Sequence, residues 1–194
     1  MTYPIEVAGL KRELPICKVT DDLYIGAFIC FGDAELTVAC ARELLKLVPA
    51  DSYDYIFTAE AKSIPLIHEM ARQSGAAKYF IARKGAKAYM PDPIHVEDHS
   101  ITTAGRDHVI HDQDALAPDQ VRIVPAQKQL LRTGGGDGVV LHMDGVRHIG
   151  LGTLAGGVVT GKVAVLAEGD AADRTDIKFL KKLPLFNADG TVKD

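Results

Sequence analysis

Between residues 58 and 65 the chain reads Thr58-Ala-Glu-Ala-Lys-Ser-Ile-Pro65, a run of small residues that carries one acid and one base. Small side chains let a backbone come close to a ligand, and a helix starting just beyond them turns free N–H groups toward an anion. Lys62 adds a full positive charge at that point. Glu60, Ala61, Lys62 and Ser63 are therefore a candidate loop for phosphate or pyrophosphate. No Walker or dinucleotide fingerprint is present, and an ordinary tight turn with an exposed Lys and Glu is the alternative. Further on, Arg83-Lys84-Gly-Ala-Lys87 sets three cations beside a glycine. Cations so placed repel one another unless they share an anion, which weighs against a merely solvated loop.

The elements around these segments decide whether they can meet. Asp54 to Ala59 is short, β-branched and aromatic, as a buried strand should be. Pro65 to Ser74 predicts a helix with proline at its first position and Gly75 closing it, and Lys78 to Arg83 predicts the next strand. Strand, helix and strand over residues 54 to 83 make a βαβ crossover, so the sheet is at least partly parallel. Both cationic segments then follow the carboxyl ends of neighbouring strands, where open α/β sheets bind ligands. Ala34 to Val48 places Leu36, Ala39, Cys40, Leu44 and Leu47 at helical spacing, with Asp33 as N-cap and Pro49 beyond the end. Val121 to Val124 and Val158 to Ala167 read as strands, and residues 94 to 103 as a strand or a flap. Glycine is dense over residues 132 to 161, which discourages a long regular helix, and the tail from Asp170 has the punctuation of a surface-hugging segment.

Composition narrows the field. With 194 residues, 47% apolar and 25% charged, the chain fits one globular domain over residues 1–194. A net charge of −4 gives no cationic field for a nucleic-acid backbone. Cys17, Cys30 and Cys40 suggest neither a disulfide framework nor a structural zinc site. The N-terminal residues lack the pattern of a signal peptide and no apolar run approaches the ~18 residues of a membrane span, so a soluble cytoplasmic protein is expected, with no membrane partner. His95, His99, His108 and His111 share one short window, and clustered imidazoles can bind zinc. A helical frame and a nearby cysteine are both missing there, so solvated loop histidines are the expectation and no metal ligand is assigned. His68 reads as a half-buried packing residue.

Taken in order, several segments resemble the adenine phosphoribosyltransferase-like branch of the type I phosphoribosyltransferases. They are Leu23-Tyr-Ile-Gly-Ala-Phe28, Ile56 to Leu66, Ala82 to Met90, Ser100-Ile-Thr-Thr-Ala-Gly105, and Gly157 to Phe186 with its VLAEGDAADR and LPLF. The resemblance covers about residues 1 to 105 and 155 to 194. It implies an α/β fold, a mainly parallel sheet flanked by helices with a small hood built from the N-terminal segment and the tail. The activity it implies joins a purine, with adenine as the expected base, to phosphoribosyl pyrophosphate with Mg²⁺, releasing pyrophosphate. By the same resemblance Glu60, Ala61, Lys62 and Ser63 form the pyrophosphate loop, Arg83, Lys84 and Lys87 reach the same phosphates, and the protein is a homodimer. Phe28 is the candidate face for stacking on the base, an aromatic surface being open to any base.

The sequence departs from that pattern in two places. Ser63 stands where the family usually has glycine, which narrows the dihedrals open to the loop. The block from 106 to 154 departs much further. The family's signature there is an apolar strand, two acids, three residues and a Thr-Gly-Gly turn; here Thr133, Gly134, Gly135 and Gly136 can serve as the 5′-phosphate turn, but Pro125 and Ala126 occupy the acids' places. Six residues, Gln127 to Arg132, separate that pair from Thr133. In the family the acids hold the ribose hydroxyls, and Pro and Ala have no side-chain acceptor to do so. A catalytically impaired regulatory protein that binds phosphoribosyl pyrophosphate or a nucleotide is therefore the second functional expectation. A shift of reading frame across this block is a further one.

Overall fold

The computed structural model describes residues 1–60, 62–83, 85–90, 93–100, 105–112, 122–132 and 158–193. Strands β1 (Thr2–Val7) and β2 (Leu10–Thr20) pair antiparallel across a two-residue turn in which Ala8 and Gly9 both have positive φ, 53° and 80°. That is the hairpin geometry whose twist matches the strands it joins, and Ala8 bears the steric cost. Strand β3 (Leu23–Gly26) pairs with β2 to complete a three-stranded sheet. The tail joins it: Tyr24 and Phe186 exchange backbone hydrogen bonds of 3.3 and 3.0 Å, and the Phe186 ring packs edge-on against Tyr3. The expected hood of N-terminal segment and tail is this assembly.

Helix α1 (Ala34–Lys46) starts where its capping chemistry does, with Asp33 accepting from the Leu36 amide at 3.0 Å. The same carboxylate takes hydrogen bonds from Arg12 of β2 at 2.7 and 3.2 Å, and the guanidinium also reaches Glu35 at 2.8 Å. Arg12 thereby ties the hood to the helix and holds Asp33 below its ordinary carboxylate range.

Strand β4 (Tyr55–Ala59), helix α2 (Ile64–Ser74) and strand β5 (Phe80–Ala82) form the βαβ unit read from the sequence. Proline sits in the first turn of α2, and Gly75 closes the helix with a left-handed φ of 73°. Strands β6 (Pro93–Ser100) and β7 (Gly105–Asp112) pair antiparallel as a separate two-stranded sheet, so residues 94 to 100 of the segment read as a strand or a flap are a strand. Strands β8 (Arg122–Arg132), β9 (Val158–Val159), β10 (Val163–Gly169) and β11 (Lys178–Leu183) complete the main sheet in the order β11-β10-β8-β4-β5, with β9 also on β8. Every pairing in it is parallel. Leu36, Cys40 and Leu44 of α1, Leu66, Ile67 and Met70 of α2, and Ile56, Val124 and Val165 of the sheet share one buried cluster. Ala164 and Ala167 pack instead with Ala171 and Ile177, beside the 3₁₀ turn Asp170–Asp173.

Two expectations about strands need correction. The strand read as Val121 to Val124 runs on to Arg132, and Pro125 and Ala126 lie inside it, paired with Phe57 and Val163. The strand read as Val158 to Ala167 is broken into β9 and β10, with one more residue on its side of the ladder than on β8. The break lies opposite Pro125, the residue of β8 with no N–H to give to a neighbour.

Glu69 of α2 is nearly buried, and Arg72 and Gln73 hold its carboxylate with hydrogen bonds of 2.7 to 2.8 Å. These contacts, Arg72 first, bring its pKa down to about 2. A lowered carboxylate pKa stabilises the fold above the ordinary value, and the gain disappears as pH falls through the folded one. Glu69→Gln should therefore be less stable than wild type at pH 6, and the gap should close between about pH 4.5 and 2. Urea denaturation at several pH values measures it.

Candidate functional site

All strands of the main sheet being parallel, their carboxyl ends share one edge, and β4 and β5 deliver the two cationic segments to it side by side. The Glu60 amide donates to the Ala82 carbonyl at 2.8 Å, carrying the β4 and β5 pairing one step past the strands. Beyond that point Arg83 Nε donates to Glu60 Oε2 at 3.0 Å, and Arg83 Nη1 to the Tyr89 hydroxyl at 2.7 Å. The carboxylate keeps the guanidinium firmly protonated. Lys62 is exposed and Lys87 half-buried, and neither forms an ion pair with a described residue.

The loop is held from below by the hood-to-helix connection. Cys30, fully buried, points its Sγ at the Lys62 carbonyl at 3.8 Å, while its own carbonyl accepts from the Thr37 hydroxyl at 2.8 Å. Cys40 is buried in the same core, and burial pushes its thiol up to about 12, so it is no nucleophile near neutral pH. Ser63 is the N-cap of α2, with φ −90° and ψ −2°, a conformation open to any residue. The dihedral restriction expected from serine in place of glycine therefore costs nothing here. Its hydroxyl does not cap the helix; its carbonyl accepts from Ile67 N at 3.0 Å.

Of the residues singled out by sequence, Glu60 and Arg83 meet directly at the sheet edge, with Lys62 and Ser63 following β4 and Lys87 following β5 along the chain. Ala61, Lys84, Thr133, Gly134, Gly135 and Gly136 lie outside the described residues. Phe28 is 0% exposed and packs in the main core, where its ring fills volume in place of presenting a face; Phe31 in the same connection keeps 48% of its surface. His68 is exposed, with its Nδ1 3.4 Å from the Tyr79 hydroxyl. Between β6 and β7, backbone register sets His108 against Glu97 and His99 against Arg106.

Sequence reasoning passed over Glu168. It is fully buried near the carboxyl end of β10, and the Gly26 amide of the hood donates to its Oε1 at 3.4 Å. Gly26 allows that approach: a Cβ there would lie 3.2 Å from Leu183 Cδ2. The signal was available, since an acid ending an otherwise apolar strand calls for a partner. Thr58 was also missed; it is fully buried at the penultimate position of β4, and its Oγ1 has no hydrogen-bond partner among the described residues.

Several solved structures that share this architecture are adenine phosphoribosyltransferases. The chain superposes on adenine phosphoribosyltransferase from Thermoanaerobacter pseudethanolicus with a TM-score of 0.59 at 20% identity, covering 78% of this chain and 83% of that one. For the enzyme from Giardia lamblia, complexed with 9-deazaadenine, the values are 0.58, 13%, 79% and 82%. For that from Saccharomyces cerevisiae, complexed with an imino-altritol bisphosphate and adenine, they are 0.56, 15%, 78% and 81%. The fold is that of the type I phosphoribosyltransferases. No family model matches the sequence, and no curated protein does. The mainly parallel sheet flanked by helices, with its small hood, is the fold that the resemblance implied. No described helix is long and apolar enough to cross a membrane.

A buried hydroxyl without a partner costs about 1–3 kcal/mol. Thr58→Val, which keeps the shape and removes the orphaned oxygen, should raise stability by about 1 kcal/mol or more, read as a higher denaturation midpoint with an unchanged slope.

Proposed function

We propose that this protein binds phosphoribosyl pyrophosphate at the carboxyl edge of its sheet and transfers the phosphoribosyl group to a purine, adenine first, releasing pyrophosphate. The observation that carries the reading is the meeting of Glu60 and Arg83 just past neighbouring strand ends, in the two cationic segments, within a fold shared by solved adenine phosphoribosyltransferases. Lys62 and Lys87 supply charge unspent on other described residues, and the start of α2 supplies amides facing the same way. The 5′-phosphate would fall to residues Thr133 to Gly136, which come next in the sequence after β8.

Magnesium belongs to this reading through the substrate. Among the described residues no three His, Cys, Asp or Glu side chains converge as a cage. Mg²⁺ commonly binds through substrate phosphates with one or two carboxylates and retained waters, so a protein cage is not required. Residues of the loop would then hold the phosphates that carry the metal, and the metal would supply charge neutralisation for the departing pyrophosphate.

The second reading, a binding protein with little turnover, is favoured by one observation. Pro125 and Ala126 are interior residues of β8, and neither has a side-chain oxygen to accept from a ribose hydroxyl or a side-chain charge to stabilise a positive sugar. Losing one well-placed electrostatic partner commonly costs ~10²–10³ in rate. Cytoplasmic location and homodimerisation are proposed with the function.

A pyrophosphate-release assay over a panel of purines, with calorimetry of phosphoribosyl pyrophosphate in magnesium, tests both readings. Turnover with adenine is expected, at a rate reduced by the missing acids. Lys62→Ala should weaken phosphoribosyl pyrophosphate by about tenfold, one charge-assisted contact being worth ~1.5–3 kcal/mol. Binding without turnover for any purine would select the regulatory reading, and no binding would overturn both.

A further inference from the structure

Arg83 is the cation best placed to span the two segments, and it is already engaged. Its Nε lies 3.0 Å from a Glu60 oxygen and its Nη1 2.7 Å from the Tyr89 hydroxyl, with the Arg83 and Glu60 side chains 30% and 22% exposed. Its second terminal nitrogen, Nη2, has no hydrogen-bond partner among the described residues. Glu60 is also the first residue past β4, fixed by its amide on Ala82, so its carboxylate reaches Arg83 from within the loop that would take the anion. The cations beside it, Lys62 and Lys87, carry no such counter-ion among the described residues.

A carboxylate oxygen on a guanidinium occupies the position of a phosphate oxygen and satisfies the same donor. We propose that Glu60 is a built-in competitor for the anion, so that pyrophosphate binds by exchange, Arg83 leaving the Glu60 carboxylate as it takes up a phosphate oxygen. This rests on the anion-site assignment above and adds a specificity device to it. No bond is made or broken covalently; one charge-assisted contact replaces another, and the net gain is smaller than Arg83 would supply to an empty loop. The Tyr89 hydroxyl can stay on Nη1 through the exchange, which keeps the guanidinium in place while its partner changes.

The device makes the two strand-end segments a single unit. Without ligand, Glu60 neutralises the repulsion that Arg83 would otherwise exert on Lys62 and Lys87. With ligand, that work passes to the pyrophosphate, and the freed carboxylate faces a site that has gained negative charge. Anions with little charge to offer would then be poor at displacing Glu60, and the loop would stay closed on itself in their presence.

The test is calorimetry of inorganic pyrophosphate, without magnesium and at low salt, on wild type, Glu60→Gln, Arg83→Ala and the double variant. Glutamine keeps the size and an acceptor oxygen but not the charge, so folding is preserved, with circular dichroism as the check. Glu60→Gln should bind pyrophosphate about tenfold more tightly than wild type, the weight of one contact of about 1.4 kcal/mol. In the Arg83→Ala background the same change should gain about twofold, the residue of screened repulsion alone. Equal gains in both backgrounds would make Glu60 a plain surface charge and overturn the exchange, as would weaker binding in Glu60→Gln or no pyrophosphate binding in any of the four proteins. Adenine turnover with phosphoribosyl pyrophosphate, measured on the same wild-type protein, decides the proposed reaction separately, so that exchange without transfer and transfer without exchange are different results.

Discussion

A sheet in which every pairing is parallel sends all its strands out at one edge, and the candidate site exists because two neighbouring strands, β4 and β5, leave that edge carrying charge. The register between them runs Phe57 to Phe80, Thr58 to Ile81 and Ala59 to Ala82, and both faces of β4 are buried from Ile56 to Ala59. Glu60 meets Arg83 because Ala59 pairs with Ala82. The ion pair is thus a consequence of strand pairing, and a loop sequence alone could not have arranged it.

The hood depends on the same edge from the other side. β3 ends at Gly26, whose amide reaches Glu168 at the end of β10, and the chain then passes through buried Phe28 and Cys30 to the cap of α1. Cys30 Sγ meets the Lys62 carbonyl on this path, so the segment that leaves the hood also braces the loop that follows β4. Arg12 closes the circuit by binding Asp33, the residue that starts α1. A shift of the hood would therefore be felt at Lys62 through short, well-packed steps.

The helices and the βαβ unit were legible because their signals are local. Asp33, Pro65 and Gly75 punctuate the chain at the helix ends, and apolar spacing does the rest. The cationic segments were legible as candidates for the same reason. Contacts that join distant residues were not: the Glu60 and Arg83 pair, the Tyr89 tether, the Cys30 brace and the buried Glu168 each need the sheet order before they can be written down. Phe28 shows the limit in another form. An aromatic ring in a loop reads equally well as a stacking face or as core, and burial, a property of the whole fold, decided for the core.

Strand β8 is where local and global signals conflict. Proline in a central strand removes a ladder donor, and the sequence rule reads it as a strand end. Tertiary context carries the strand past it nonetheless, because Val124 and Ala126 on either side are buried in the main core, at 0% and 1% exposure, and give β4 and β10 an apolar strand to pack beside. The cost appears on the neighbour, as the break between β9 and β10 opposite Pro125. Pro125 and Ala126 thus lie within the strand, and β8 runs on to Arg132, next to Gly169 of β10. Charge at the carboxyl edge of the sheet is carried by Glu168 beneath the hood and by Glu60 and Arg83, which follow β4 and β5.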